Sequence, residues 1–233
     1  MYSFYLSIGI YLPELYVKIS HYVMGAGILP TTIHEDKLYF LFGKENKYAD
    51  TPGWSDIGGG KDNHETYLET AYREGMEEST GFFGMEADIK KLLSRHGTYD
   101  IDFQGDTSNY RIHMFPMKYD PMLPVYYNNN HRFLERKLSN HMIKQSKIFE
   151  KDELKWISID QVPRMRSKFR CYYGPIIDQI LDKQHDIKRF IRKGLAAEKT
   201  CKAGKPTKKR RRGSKKTRKS GKSRKSGTRR TKK

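Results

Sequence analysis

The sequence predicts an α+β fold, a mixed sheet flanked by helices and followed by a disordered basic tail. Three observations lead there. Strand-like segments are joined by short, hairpin-like connections. Two well-punctuated helices stand among them rather than alternating strictly with them, which argues against a doubly wound parallel sheet. The charge is split: residues 199–233 hold 19 Lys or Arg and no acid, so subtracting them from the total of 46 leaves 27 basic residues against 27 acidic ones. The body is electrically balanced and the tail is a polycation.

The N-terminal stretch YSFYLSIGIYLPELYV is apolar and aromatic. It is interrupted by Pro13 and Glu14, lacks a basic leader and falls short of the roughly 20 residues that span a bilayer. Residues 1–20 are therefore expected as an accessory extension, 21–195 as the folded domain and 196–233 as the tail.

Tyr22–Leu29 and Lys37–Phe42 read as strands separated by the polar connection TTIHED. The looser GKENKYADTPGWSD then delivers the chain to the glycines at 58–60. After them Thr66 and Glu69 form a capping-box pattern, and Gly81 is placed as the left-handed stop of the helix they start. Leu68, Ala71, Tyr72, Gly75 and Ser79 make its small or apolar face.

An acidic-to-basic connection leads to a hairpin, His96–Phe103 and Asn109–Lys118, closed around Gln104, Gly105 and Asp106. Pro121–Asn130 is rich in Pro, Tyr and Asn and is expected as a loop. Residues 131–147 space Leu134, Leu138 and Met142 as an amphipathic helix, and Leu154–Ile159 returns to strand alternation around Trp156. A last helix opens at Gly174-Pro175, buries Ile176, Ile177, Ile180, Leu181, Ile187 and Ile191, and ends at Gly194. Beyond Ala196 almost nothing is apolar, so no core can form there.

The chemistry lies between Gly58 and Gly81, GGGKDNHETYLETAYREGMEESTG. Glu74, Glu77 and Glu78 are i, i+3 and i+4 neighbours on one helix face, so three like charges repel unless a cation lies between them. A hard divalent ion with oxygen ligands suits that need. The bland alternative is a solvated acidic face.

This stretch resembles the Nudix box, G-x5-E-x7-R-E-U-x-E-E-x-G-U with U aliphatic, through Gly59, Glu65, Arg73, Glu74, Glu77 and Glu78. It departs at Gly75, where an aliphatic residue belongs, and at Thr80, the closing glycine coming one residue later at Gly81. The resemblance implies an αβα sandwich around a mixed sheet and hydrolysis of a nucleoside diphosphate linked to another group, with Mg2+ or Mn2+ as cofactor. It implies Glu74, Glu77, Glu78 and the Gly58 carbonyl as metal ligands, and Glu65 with Arg73 as the pair that shapes loop and helix. A further metal-bound or general-base glutamate outside the box is expected in FEKDELKWISI, with Glu150 the first choice and Glu153 the second. Glu74, Glu78 and Glu150 are thus the expected catalytic set.

Trp54 either lines the pocket or packs. His64 is expected as an exposed loop residue, and none of the eight histidines has a metal-ligand spacing. Cys171 and Cys201 form no disulfide framework and no zinc pattern, which fits a reducing intracellular setting.

The tail, including Lys208, Lys209, Arg210, Arg211 and Arg212, is dense enough to bind RNA phosphates with little sequence preference. KPTKKRRR would also serve as a nuclear or nucleolar address, the cytoplasm (of the host, if the chain is viral) being the expected compartment. Together with the EES-x-G ending and FEKDELKW, the tail makes the chain resemble Nudix proteins of large DNA viruses, among them mRNA-decapping enzymes. That resemblance implies capped RNA as substrate. Small polyphosphates, either dinucleoside polyphosphates or diphosphoinositol polyphosphates, are the alternative, and a non-catalytic RNA-binding protein is the third reading.

Overall fold

The computed structural model describes residues 23–105, 108–145 and 150–203. The expected extension at residues 1–20 and the basic cluster Lys208–Arg212 lie outside the described residues. Chain order is β1 (Val23–His34), β2 (Lys37–Glu45), β3 (Trp54–Ser55), β4 (Ile57–Gly60), α1 (Tyr67–Glu78), α2 (Glu86–His96), β5 (Tyr99–Gln104) and β6 (Ser108–Pro116). It continues through α3 (Met122–Lys137), α4 (Asn140–Gln145), β7 (Lys151–Ser158), two short 3-10 turns, α5 (Gly174–Asp182) and α6 (Gln184–Ala203).

Seven strands form one mixed sheet with the path β3-β2-β1-β6-β5. β1 runs parallel to β6 and antiparallel to β2 and β4, and β7 adds antiparallel to β2. Because side chains alternate across a strand, Phe40 and Phe42 of β2 face one layer while Leu41 faces the other. The first layer holds α5 and α6 through Ile176, Ile177, Ile180, Ile187 and Ile191. The second holds α1, α2 and α3 through Ala71, Tyr72, Ile89, Leu93 and Tyr127. Each fully buried Ile or Leu contributes about 1.5–3 kcal/mol. The mixed sheet between two helical layers is therefore the expected sandwich.

Several expectations are corrected. TTIH belongs to β1, and the turn is only Glu35-Asp36, both at positive φ (47° and 58°), the geometry of a tight primed hairpin. The acidic-to-basic connection is the helix α2. The expected loop at 121–130 lies almost wholly within α3, whose inward face is Pro124, Tyr127 and His131. Tertiary contacts settle that helix. The one Tyr127 hydroxyl proton is shared by the carbonyls of Glu78 (2.9 Å) and Lys151 (3.0 Å), and the Asn128 amide exchanges two hydrogen bonds with the backbone of Leu154.

The helix expected over 131–147 breaks at Leu138, which is extended, and its supposed stripe is not a buried one: Met142 is exposed. Gly194 is not a stop either, since α6 runs through it to Ala203, past the expected domain boundary. A Cβ there would lie 2.3 Å from the Pro116 ring, so this glycine lets the helix cross close over β6. The last helix is also two, divided at Lys183.

Candidate active site

The helix α1 begins as its sequence demands. Thr66 caps it, accepting from the Glu69 N–H at 3.2 Å while Glu69 accepts from the Thr66 N–H at 2.7 Å. Ala71, Tyr72, Gly75 and Ser79 are buried as expected, whereas Leu68 is exposed. Gly75 is explained by its neighbour: a Cβ there would lie 2.7 Å from Ile28 Cδ1, so β1 supplies the methyl that an aliphatic residue would bring. The helix ends in two successive left-handed residues, Thr80 (φ 49°) and Gly81 (φ 77°).

Arg73 organises the first half of the site. Its Nε and Nη2 donate to the two oxygens of Glu65 at 2.7 and 3.0 Å, Nη1 to Glu74 at 2.7 Å and Nη2 to the Gly60 carbonyl at 2.9 Å. Glu65 also accepts from Thr70 and the Asp62 N–H. The fork of Arg73 holds the Glu65 carboxyl near pKa 2, helped by those two donors against partial burial. The glycine-strand loop, the helix start and Glu74 are thus fastened to one guanidinium.

Three carboxylates then converge. Glu74 and Glu78, both buried, and half-buried Glu150 each bring an oxygen within 4.8 Å of the others. Their cleft has a volume of about 480 Å3, and Gly58, Gly59, Gly60 and Arg170 also line it. A Cβ on Gly59 would sit 2.7 Å from the Glu74 carboxyl carbon, so the bare backbone of β4 is what admits that side chain. The Gly58 N–H donates to Glu78 at 2.6 Å.

Burial raises the pKa of Glu74 against the pull of Arg73. It raises that of Glu78 well above the carboxylate range, against Lys151 and with Glu45, Glu74 and Asp56 adding to the rise. The cleft is short of positive charge, and hard oxygen donors in this number suit Mg2+ or Mn2+. Glu77 stands apart from the trio, 30 % exposed and 3.6 Å from Arg73. Glu153 lies within β7 opposite Lys44, so between the two expected glutamates the structure brings Glu150 to the cleft. Trp54 is buried in the core and His64 is exposed.

Sequence reasoning missed the group behind the trio. Lys151, fully buried, places its ammonium against Glu45, 3.3 Å from Glu78 and 3.1 Å from the Ser55 hydroxyl. Arg170 adds a second cation on Glu45 at 2.7 Å. Buried Asp56 accepts from the Tyr110 hydroxyl at 2.9 Å, and its N–H donates to the Tyr173 oxygen at 3.1 Å. Burial works against the charge of Lys151, but Glu78 and Glu45 outweigh it and raise its pKa. In the sequence, Lys151 is one charge among FEKDEL, and no local signal distinguishes it from a solvated lysine.

No family model and no curated protein matches the chain. Among solved structures it is similar to a C. elegans Ap4A hydrolase, at 13% identity over 70% of this chain and 98% of that one, with a TM-score of 0.40. It is also similar to the Nudix hydrolase RenU of M. smegmatis, at 15% identity over 72% and 89%, with a TM-score of 0.40. A third likeness is to a bifunctional NMN adenylyltransferase/ADP ribose pyrophosphatase of Francisella tularensis, complexed with AMP and a Mn ion, at 17% identity over 69% and 41%, with a TM-score of 0.45. With every one of these scores below 0.5 they are likenesses only, and the chemistry has to be read from the carboxylate cleft itself.

Proposed function

We propose that this chain is a divalent-metal-dependent Nudix hydrolase of phosphoric anhydride bonds, and that its substrate is capped RNA. The observation that carries the hydrolase reading is the convergence of Glu74, Glu78 and Glu150 within 4.8 Å on a bare glycine strand. Buried carboxylates this close repel one another, and a divalent cation between them offsets that repulsion. Glu74, Glu78 and Glu150 would hold Mg2+ or Mn2+, with the Gly58 carbonyl and Glu77 at its margin. Bound there, such an ion neutralises phosphate oxygens and acidifies a coordinated water.

The chain's own groups do the rest. Arg73 keeps Glu74 aimed into the cleft, and the Gly58 N–H and the Lys151 ammonium fix the two oxygens of Glu78. Glu150, the least enclosed of the three, is placed to take a proton from the attacking water. Attack on the cap's triphosphate bridge breaks one P–O bond and yields methylated GDP and 5′-monophosphate RNA. Support for RNA comes from the 19 Lys or Arg of residues 199–233, with Lys208, Lys209, Arg210, Arg211 and Arg212 as the densest run.

The test is one purified protein offered capped RNA, a dinucleoside polyphosphate and a diphosphoinositol polyphosphate side by side with Mg2+ or Mn2+. Methylated GDP should be released fastest, and Glu78→Gln should abolish release. Faster cleavage of the small substrates would overturn the choice of capped RNA. No cleavage of any of them would overturn the enzyme class.

A further inference from the structure

Strand β2 leaves a slot for one lysine stem. A Cβ on Gly43 would lie 2.9 Å from Lys151 Cδ and 3.1 Å from its Cγ, so only the bare backbone of that strand lets the stem pass. The stem is fully buried and brings its ammonium to Glu45, to the Ser55 hydroxyl at 3.1 Å and to Glu78 Oε1 at 3.3 Å. An ammonium has three donors. Three acceptors surround this one, and the lysine is not part of the cleft wall, so it is not placed to hold a substrate. Its position is behind Glu78, where the buried acids Glu45 and Asp56 add further negative charge. Arg170 closes the other side of Glu45 at 2.7 Å.

We propose that the Lys151 ammonium is a built-in second cation, and that the cleft, before substrate binds, therefore takes one divalent ion among Glu74, Glu78 and Glu150. The proposal rests on reading that trio as a metal site. Two-metal centres hold their ions about 3.5–4 Å apart, and a carboxylate that bridges them gives one oxygen to each. Glu78 is not placed to bridge in that way. Its Oε2 accepts from the Gly58 N–H at 2.6 Å and its Oε1 faces the ammonium, so the position behind it is already cationic. A second divalent ion there would meet a fixed positive charge at close range in a buried setting, where repulsion is strong. Glu74 gives Oε1 to Arg73 at 2.7 Å, which leaves its other oxygen for the cleft. The consequence is a division of labour: the buried acids behind the cleft are balanced by a cation that cannot exchange with solvent, and only the trio in front depends on metal supply.

The test counts ions without substrate. The full chain is titrated with Mn2+, and free metal is read by electron paramagnetic resonance; ions lost in the double variant Glu74→Gln/Glu78→Gln are those of the cleft. Wild type should hold one. Lys151→Ala removes the charge and empties the slot, and it should hold two. Lys151→Met removes the charge but keeps the slot filled, so it should still hold one. Mn2+ should also raise the Tm of Lys151→Ala by more than that of wild type, because a second ion bound to the folded state adds its own stabilisation. Two cleft ions in wild type would overturn the inference, whether or not the variants fold. One ion in Lys151→Ala, or a Lys151→Ala that stays unfolded at saturating Mn2+, would overturn it as well. A wild type that binds no Mn2+ would instead overturn the metal reading of the trio.

Discussion

Lys151, with no exposed surface, holds its ammonium 3.3 Å from Glu78 Oε1 while also contacting Glu45. One strand residue therefore neutralises two buried carboxylates from different elements, one of them an expected metal ligand. Removing it takes the ammonium from Glu78 and leaves Glu45 with Arg170 as its cation.

Lys151→Met should cost about 3–5 kcal/mol, the range for breaking a buried ion pair on one side. Adding Glu78→Gln should recover part of the loss by removing the stranded charge. Urea unfolding of the three proteins checks this; a single variant as stable as wild type would show that Lys151 does not hold the carboxylates.

Thr80 is β-branched, left-handed and carries a buried hydroxyl oxygen without a partner. A β-branched residue is strained in that region and the unpartnered hydroxyl adds a cost, and glycine relieves the strain and removes the hydroxyl. Thr80→Gly should stabilise the protein by about 1 kcal/mol, seen as a rise in Tm, with Gly81 left in place. A fall in Tm would mean that the threonine makes a contact worth more than its strain.

His131 is 3% exposed and stacks on Tyr127 at 4.1 Å. Burial lowers its pKa from 6.5 to about 4, against a raising influence from Glu135. Between those values the unfolded chain binds a proton that the folded chain refuses, so stability is complete above about pH 6.5 and declines as pH falls toward 4. The loss should be on the order of 2 kcal/mol, and His131→Phe, which keeps a stacked ring, should remove this part of the pH dependence. Denaturation curves at pH 7 and pH 4.5 measure it.

Deleting residues 204–233 preserves α6, which ends at Ala203, and removes 17 of the 19 basic residues found from 199 onward. RNA affinity should fall and its dependence on salt should flatten, because fewer phosphates are neutralised. Mn2+ binding at the carboxylates should be unchanged. Filter binding across a salt series reads the first effect and electron paramagnetic resonance the second.

The parts of this protein that were legible in sequence are those whose code is local. Thr66 with Glu69 marks a helix start because the two groups bond across four residues, and the register of Arg73, Glu74 and Glu78 follows from helix geometry. The first part of α3, up to residue 130, was illegible because its Tyr, Asn and Pro content signals a turn, while Tyr127 and Asn128 are held by backbone groups of α1 and β7. Lys151 was illegible for the same reason: burial is decided by strands paired far away in sequence. Gly194 was misread because a glycine needed for close approach looks the same in sequence as one needed for a turn.

The Tyr127 hydroxyl ties the last turn of α1 to the first residue of β7, and β7 is the strand that delivers Glu150. During synthesis the helix with Glu74 and Glu78 emerges from the ribosome long before residue 150. A nascent chain halted at the end of α3 would already carry the glutamate helix and its arginine clasp, but neither the third carboxylate nor the lysine behind it. Affinity for a divalent ion should therefore rise once β7 has joined β2, so the onset of metal binding reports the docking of that strand.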